Sequence, residues 1–301
     1  MTPLPSRFAT HALQALLMLA ALLLISPPAS PGTAGAGLVT DPDVVIPMPN
    51  MSKPGYLQPY VDPNFNTAIT RISGDEGDTY TDLRGNQYQW GQYSIHHYST
   101  IQPWNSDGSL IEMQVSDGPS VVFLDGNTYQ PKYGKCDNYD YRYDTRWHPA
   151  AGHENEQVNV KDGYLYWFNV VTCDEVLKIK LPATGDARYP MTYIGGGKGN
   201  VSADGRYVVL VDHDYPDETH PKMYLLDMLG TADNGSQGRF GPPMDVPAED
   251  AACGDTERGC ELSWAGLSPS GKYAIAHYHH DYTRVYDVDY DTLSFSVRPM
   301  P

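Results

Sequence analysis

The chain has 301 residues, with 20 Lys and Arg against 37 Asp and Glu, for a formal net charge of −17. That balance argues against nucleic acid or an anionic membrane as partner, because phosphate binding needs clustered cations, and it favours solubility. With 28 glycines, 25 prolines and no helical periodicity, the composition is that of a turn-rich β-protein.

The first element is an export signal. Arg7 is the one cation near the start, no acidic residue precedes Asp41, and an apolar run extends from Ala12 to Ile25. Pro27 and Pro28 end the run, and the small-residue stretch that follows contains Ala34-Gly35-Ala36, an A-x-A cleavage site. The run is near the short end of what a membrane span needs. We read residues 1–36 as a cleaved signal peptide, with a site nearer Ser30 as the alternative, and no later segment is apolar enough to span a bilayer. The mature chain loses Arg7 and carries a net charge of −18 in a secreted, periplasmic or extracellular setting.

Residues 37–60 are Pro-rich and irregular and read as an N-terminal arm. A strand at 67–72 follows; in propellers such an N-terminal strand often completes the last blade. The chain then repeats itself in PWNSDGSLIEMQV (103–115), VNVKDGYLYWFNVV (158–171), NVSADGRYVVLVD (200–212) and GLSPSGKYAIAHY (266–278). Each places a D-G or S-G turn, at Gly108, Gly163, Gly205 or Gly271, before a strand of alternating apolar residues. A second strand follows each copy, at 121–129, 175–181, 223–229 and 283–289. Units of this period with loop insertions are the signature of propeller blades. The expected fold is all-β, a β-propeller of four-stranded blades over 61–301, with a solenoid or sandwich as the alternative. Four repeats make a small ring, so an incomplete propeller, truncated at the C-terminus, is the favoured reading. A degenerate fifth blade within 231–261 is the other.

Four cysteines, an even number in an exported chain, point to disulfides. Cys253 and Cys260 enclose a short loop, leaving Cys136 and Cys173 to pair; with no C-x-x-C spacing, zinc is the weaker reading. Asn50, Asn200 and Asn234 stand in N-x-S sequons, which matter only in a eukaryotic secretory host.

The repeat S-x-D-G-x-[Y/L] followed by an apolar strand resembles the TolB/WD40-like propellers. Three segments resemble the oligogalacturonate-lyase-like and ulvan-lyase-like propeller proteins more closely: DPNFNTAITRIS at 62–73, HHYSTIQPWNSDGSL at 96–110 and TRWHP at 145–149. The resemblance implies β-elimination on a uronate-containing glycan. That reaction needs a base, an acid, and a cation to neutralise the uronate carboxylate. By resemblance His96 or His97 is the base, Tyr98 belongs to the same catalytic segment, and Arg146 could hold the carboxylate bidentately. Trp147 and His148 would contact sugar, although a core position between blades is the favoured reading for Trp147.

His277 and His279 alternate on one strand face and form a pair of metal ligands, with His213 a candidate third. Zn²⁺ or Mn²⁺ would suit the imidazoles, and Ca²⁺ the acidic loop after Asp212. No G-x-S-x-G, H-E-x-x-H or P-loop motif is present. Two function classes therefore stand: a secreted polysaccharide lyase, or a non-catalytic propeller that binds glycan or protein at the cell surface.

Overall fold

The structure, a computed structural model, describes residues 41–48, 50–96, 101–116, 120–139, 145–182, 193–212, 222–245, 262–278 and 282–299. They fall into two units, divided between Ile72 and Ser73. In the first, β1 (Pro59–Val61) pairs antiparallel with β2 (Ala68–Thr70). Asp62 organises the turn between them by accepting hydrogen bonds from the backbone N–H groups of Asn64 and Phe65. The strand expected at 67–72 is therefore half of a local hairpin. The last blade has four strands of its own.

The second unit is all-β, and no α-helix occurs among its described residues. A hairpin of β3 (Thr79–Thr81) and β4 (Gln87–Gln89) comes first. Four antiparallel meanders follow. Blade one is β5 (Ser94–Ile95), β6 (Leu110–Val115), β7 (Ser120–Asp125) and β8 (Pro131–Gly134). Blade two is β9 (Arg146–Trp147), β10 (Glu156–Lys161), β11 (Tyr164–Asn169) and β12 (Asp174–Lys180). Blade three is β13 (Tyr193–Ile194), β14 (Tyr207–Asp212), β15 (Lys222–Thr231) and β16 (Gln237–Phe240), with β17 (Met244–Asp245) also on β15. Blade four is β18 (Leu262–Leu267), β19 (Tyr273–Tyr278), β20 (Tyr282–Asp289) and β21 (Ser294–Val297). This is the propeller-like arrangement expected from the repeats. Residues 237–240, within the span considered for a fifth blade, are the fourth strand of blade three; 246–261 lie outside the described residues.

Strand alternation explains why the blades stack. On β14, Val208 and Leu210 join Val158, Leu165 and Ile179 of blade two, whereas Val209 and Val211 join Ala274, Ala276 and Tyr286 of blade four. Side chains of a strand point alternately to the two faces, so a strand apolar at every position must be covered on both. A third apolar layer, with Leu110, Phe123, Trp147 and Phe168, joins blades one and two. The core thus lies between blades, and each fully buried Val or Leu contributes roughly 1.5–3 kcal/mol as an upper figure.

Three of the four repeat turns are built alike. The N–H of Gly108, Gly205 or Gly271 donates to the carbonyl of Asn105, Ser202 or Ser268. The side-chain oxygen of that same residue accepts from the N–H of Leu110, Tyr207 or Tyr273. The glycines sit at φ between +69° and +73°, where a Cβ is disfavoured. These turns join the first and second strands of blades one, three and four.

Blade two departs from the expected alignment. Asp162 and Gly163, both at positive φ, form a two-residue turn between β10 and β11, its second and third strands. The second sequence repeat is thus one strand out of register with the others, and 175–181 belongs to the fourth strand. The first turn of blade two runs instead from His148 to Glu156, closed by the His148 N–H donating to the Glu156 carbonyl.

Cys136 and Cys173 form the expected disulfide, which ties the segment after blade one to the β11–β12 turn; Cys253 and Cys260 lie outside the described residues. Beside it, the Arg84 guanidinium donates to the carbonyls of Gly134, Val170 and Val171, binding the β3–β4 hairpin to blades one and two. Closing a loop of 37 residues restricts the unfolded chain by about 4 kcal/mol. Replacing Cys136 and Cys173 together by Ser is expected to lower the urea midpoint and to steepen the slope, because the released unfolded chain exposes more surface, and an unchanged midpoint would refute that role.

Candidate functional site

A cleft of about 430 Å³ opens between Gln102 and Trp104–Ser106 of blade one, Arg146–Pro149 of blade two, and Asn200 and Val201 of blade three. Arg146 and Trp147 reach it because β9 is short and pairs with the first half of β10, Arg146 opposite Val158 and Trp147 opposite Gln157. Sequence reasoning had singled out Arg146, Trp147 and His148, and the structure brings all three to this one cleft.

Their roles are set by what they already touch. Arg146 is 2% exposed. Its Nε and Nη2 donate to the carbonyls of Gly199 and Gly197 at 2.8 Å, and its Nη1 to the Thr145 carbonyl at 3.0 Å. The guanidinium thus fastens blade two to the 3₁₀ turn Gly195–Gly197 of blade three. That turn in turn lies against blade four, where a Cβ at Gly195 would stand 1.8 Å from the Ala265 carbonyl oxygen. Trp147 is buried, its Nε1 donating to the Pro103 carbonyl and its ring edge-on to Phe123.

His148 is 1% exposed and packed among His153, Trp167 and the Gly205 turn. Its Nδ1 accepts from the Ala150 N–H at 3.3 Å, and its Nε2 is buried against the Gly205 turn. Burial, reinforced by the neighbouring His153, pushes the imidazole down to about 4. His153 itself bonds Glu156, Nδ1 to Oε2, at 2.8 Å.

Behind the cleft stands an acid that sequence reasoning missed. Glu112 of β6 is buried, and its Oε2 accepts from Gln157 Nε2 at 2.5 Å. Burial, opposed by that hydrogen bond and by the Arg146 charge, pushes the Glu112 carboxyl up to about 7. Its sequence signal was weak but present: Glu112 is a carboxylate at the centre of the apolar strand LIEMQV. Also missed was Trp104, 41% exposed at the cleft and one residue ahead of the Asn105 turn. Its signal was a large aromatic at a turn, where no alternating strand calls for one.

Of the proposed catalytic segment, only His96 lies among the described residues. It is exposed, with its Nε2 against the Ile101 carbonyl at 2.5 Å. His97 and Tyr98 lie outside them. His277 lies on β19 with Nδ1 on Thr283 Oγ1 at 3.0 Å and its ring beside Trp264; His279 and His213 are also outside the described residues. Among the described residues, no three His, Cys, Asp or Glu side chains gather as a metal site.

No family profile and no curated protein sequence matches this chain. Solved structures resemble it in part. A chain of a mitotic checkpoint complex is 15% identical, with a TM-score of 0.37 over 74% of this chain and 64% of the other. A hypothetical selenium-binding protein from Sulfolobus tokodaii is 12% identical, with a TM-score of 0.42 over 63% and 46%. An oligogalacturonate lyase in complex with manganese is 16% identical, with a TM-score of 0.33 over 73% and 71%. The chain thus spans less than two thirds of the first two. At these scores the likenesses carry no argument about function, and the fold rests on the strand topology above.

The two buried groups have opposite pH signatures. The unfolded chain loses the Glu112 proton near 4.5 and the folded chain only near 7, so stability falls as pH rises across that window. The unfolded chain protonates His148 near 6.5 and the folded chain only near 4, so stability rises with pH between those values. Glu112→Gln keeps an acceptor for Gln157 and removes the first slope. It is expected to raise stability at pH 8 by about 3 kcal/mol and to leave the rising limb of His148 uncompensated. Parallel pH profiles for the two proteins in calorimetry would contradict this assignment.

Proposed function

We propose that this chain is an exported, non-catalytic propeller whose cleft between blades one, two and three binds an uncharged stretch of polysaccharide. The observation that carries this is the pairing of an exposed indole, Trp104, with the exposed amides of Gln102 and Asn200 in a cleft whose one described cation, Arg146, already donates to three carbonyls. An aromatic face stacks on the apolar face of a sugar ring, and amides bond its hydroxyls. A polyuronate would meet instead an acidic protein, −18 once Arg7 is removed with the signal, at a cleft whose described cation is already committed to carbonyls.

The second reading is the uronate lyase implied by the sequence resemblance, with His96 or His97 as base and Tyr98 as acid. It asks Arg146 to neutralise a carboxylate, which would take its N–H groups from the carbonyls that fasten blades two and three. A divalent metal would have to replace that charge.

The two readings separate in one set of measurements. Purified protein is titrated with xylan, galactomannan and β-glucan oligosaccharides and incubated with pectate, ulvan and alginate while unsaturated product is followed by absorbance. Binding of a neutral oligosaccharide, weakened at least about tenfold (about 1.4 kcal/mol) in Trp104→Ala, with no unsaturated product, is the expected outcome. Product that disappears in His96→Ala or His97→Ala would establish the lyase instead.

A further inference from the structure

The turn that walls one side of this cleft also walls a second one. Asn200 and Val201 line the first cleft. Ser202, Ala203 and Asp204, the next three residues, line another of about 420 Å³ whose far side is Pro269–Gly271 of blade four. The two clefts are therefore neighbours, separated by the single turn of blade three. Both are built on the turns that join first and second strands.

The second cleft also presents aromatic faces and polar edges. Tyr207 and Tyr290 line it as a tilted ring pair with centroids 4.4 Å apart. Tyr290 is held in place by its hydroxyl donating to the Gly271 carbonyl. Asp204 and Ser270, both exposed, stand on opposite sides of the opening. A carboxylate and a hydroxyl beside tyrosine rings suit the hydroxyls of a neutral sugar, and the Asp204 charge opposes a uronate.

We infer that the second cleft is a further glycan subsite, so that one linear uncharged polysaccharide runs from Trp104 across the Asn200–Gly205 turn to Tyr207 and Tyr290. This rests on the carbohydrate reading of the first cleft. Filling both clefts with one chain makes the second contact intramolecular, and affinity then grows with chain length beyond what either cleft gives alone.

The test uses the full chain and short and long xylan, galactomannan and β-glucan oligosaccharides. Ala203 is exposed on the turn, so Ala203→Trp fills the second cleft without removing a core contact; Ser270→Trp fills it from the facing turn and guards against a local folding defect in the first variant. Both are expected to lower affinity for the long oligosaccharides about tenfold or more and to leave that for the short ones unchanged. Trp104→Ala is expected to weaken binding of both lengths. If both Trp insertions leave long-chain affinity at the wild-type value, the second subsite is overturned while the first cleft stands. If Trp104→Ala changes nothing, the reading of the first cleft fails.

Discussion

Blades two and three are apolar on both faces, and the rest of the molecule follows from that. A sheet greasy on one side can be covered by a single partner; these need a neighbour on each. Val208 and Val209 are adjacent in sequence yet belong to different interblade layers. Stability therefore resides in the seams, and no blade has a core of its own. Polar chemistry is pushed to the ends of the sheets, where turns leave the stack, and both clefts are found at such turns.

Where polar groups do enter the seams, they serve as fasteners. Arg146 spends its guanidinium on carbonyls of the neighbouring blade, and Arg84 does the same beside the disulfide. A buried charge is tolerated only with such partners, since stripping its water otherwise costs several kcal/mol. This explains how one residue can look like a ligand-binding arginine in sequence and act as a structural bolt. The side chain is the same in either case, and only the surrounding carbonyls decide.

Much of the architecture was legible in the sequence because turn chemistry and alternation are local. Gly108, Gly205 and Gly271 marked their turns for the reason the backbone confirms, a positive φ. The same locality misled at Gly163, where an identical Asp-Gly pair closes a different pair of strands. A dipeptide specifies the bend but not which strands it joins. The lining of the cleft was partly legible: Arg146, Trp147 and His148 are consecutive and were grouped in the sequence, and all three line it. Glu112, Gln157 and Trp104 were not, because their meeting depends on how separate blades stack, and no short stretch of sequence encodes a distance across a seam.

Gly205 ties these themes together. Its φ of +73° makes the turn, yet a Cβ there would also stand 2.1 Å from the His148 ring of the neighbouring blade. The missing side chain is thus the other half of the histidine's berth. Positions 148 and 205, distant in sequence, form one energetic unit, so the cost of changing both will differ from the sum of changing each. A smaller residue at 148 would relieve the contact of a Cβ at 205 but not the strain of its positive φ, so only part of the cost at one position depends on the occupant of the other.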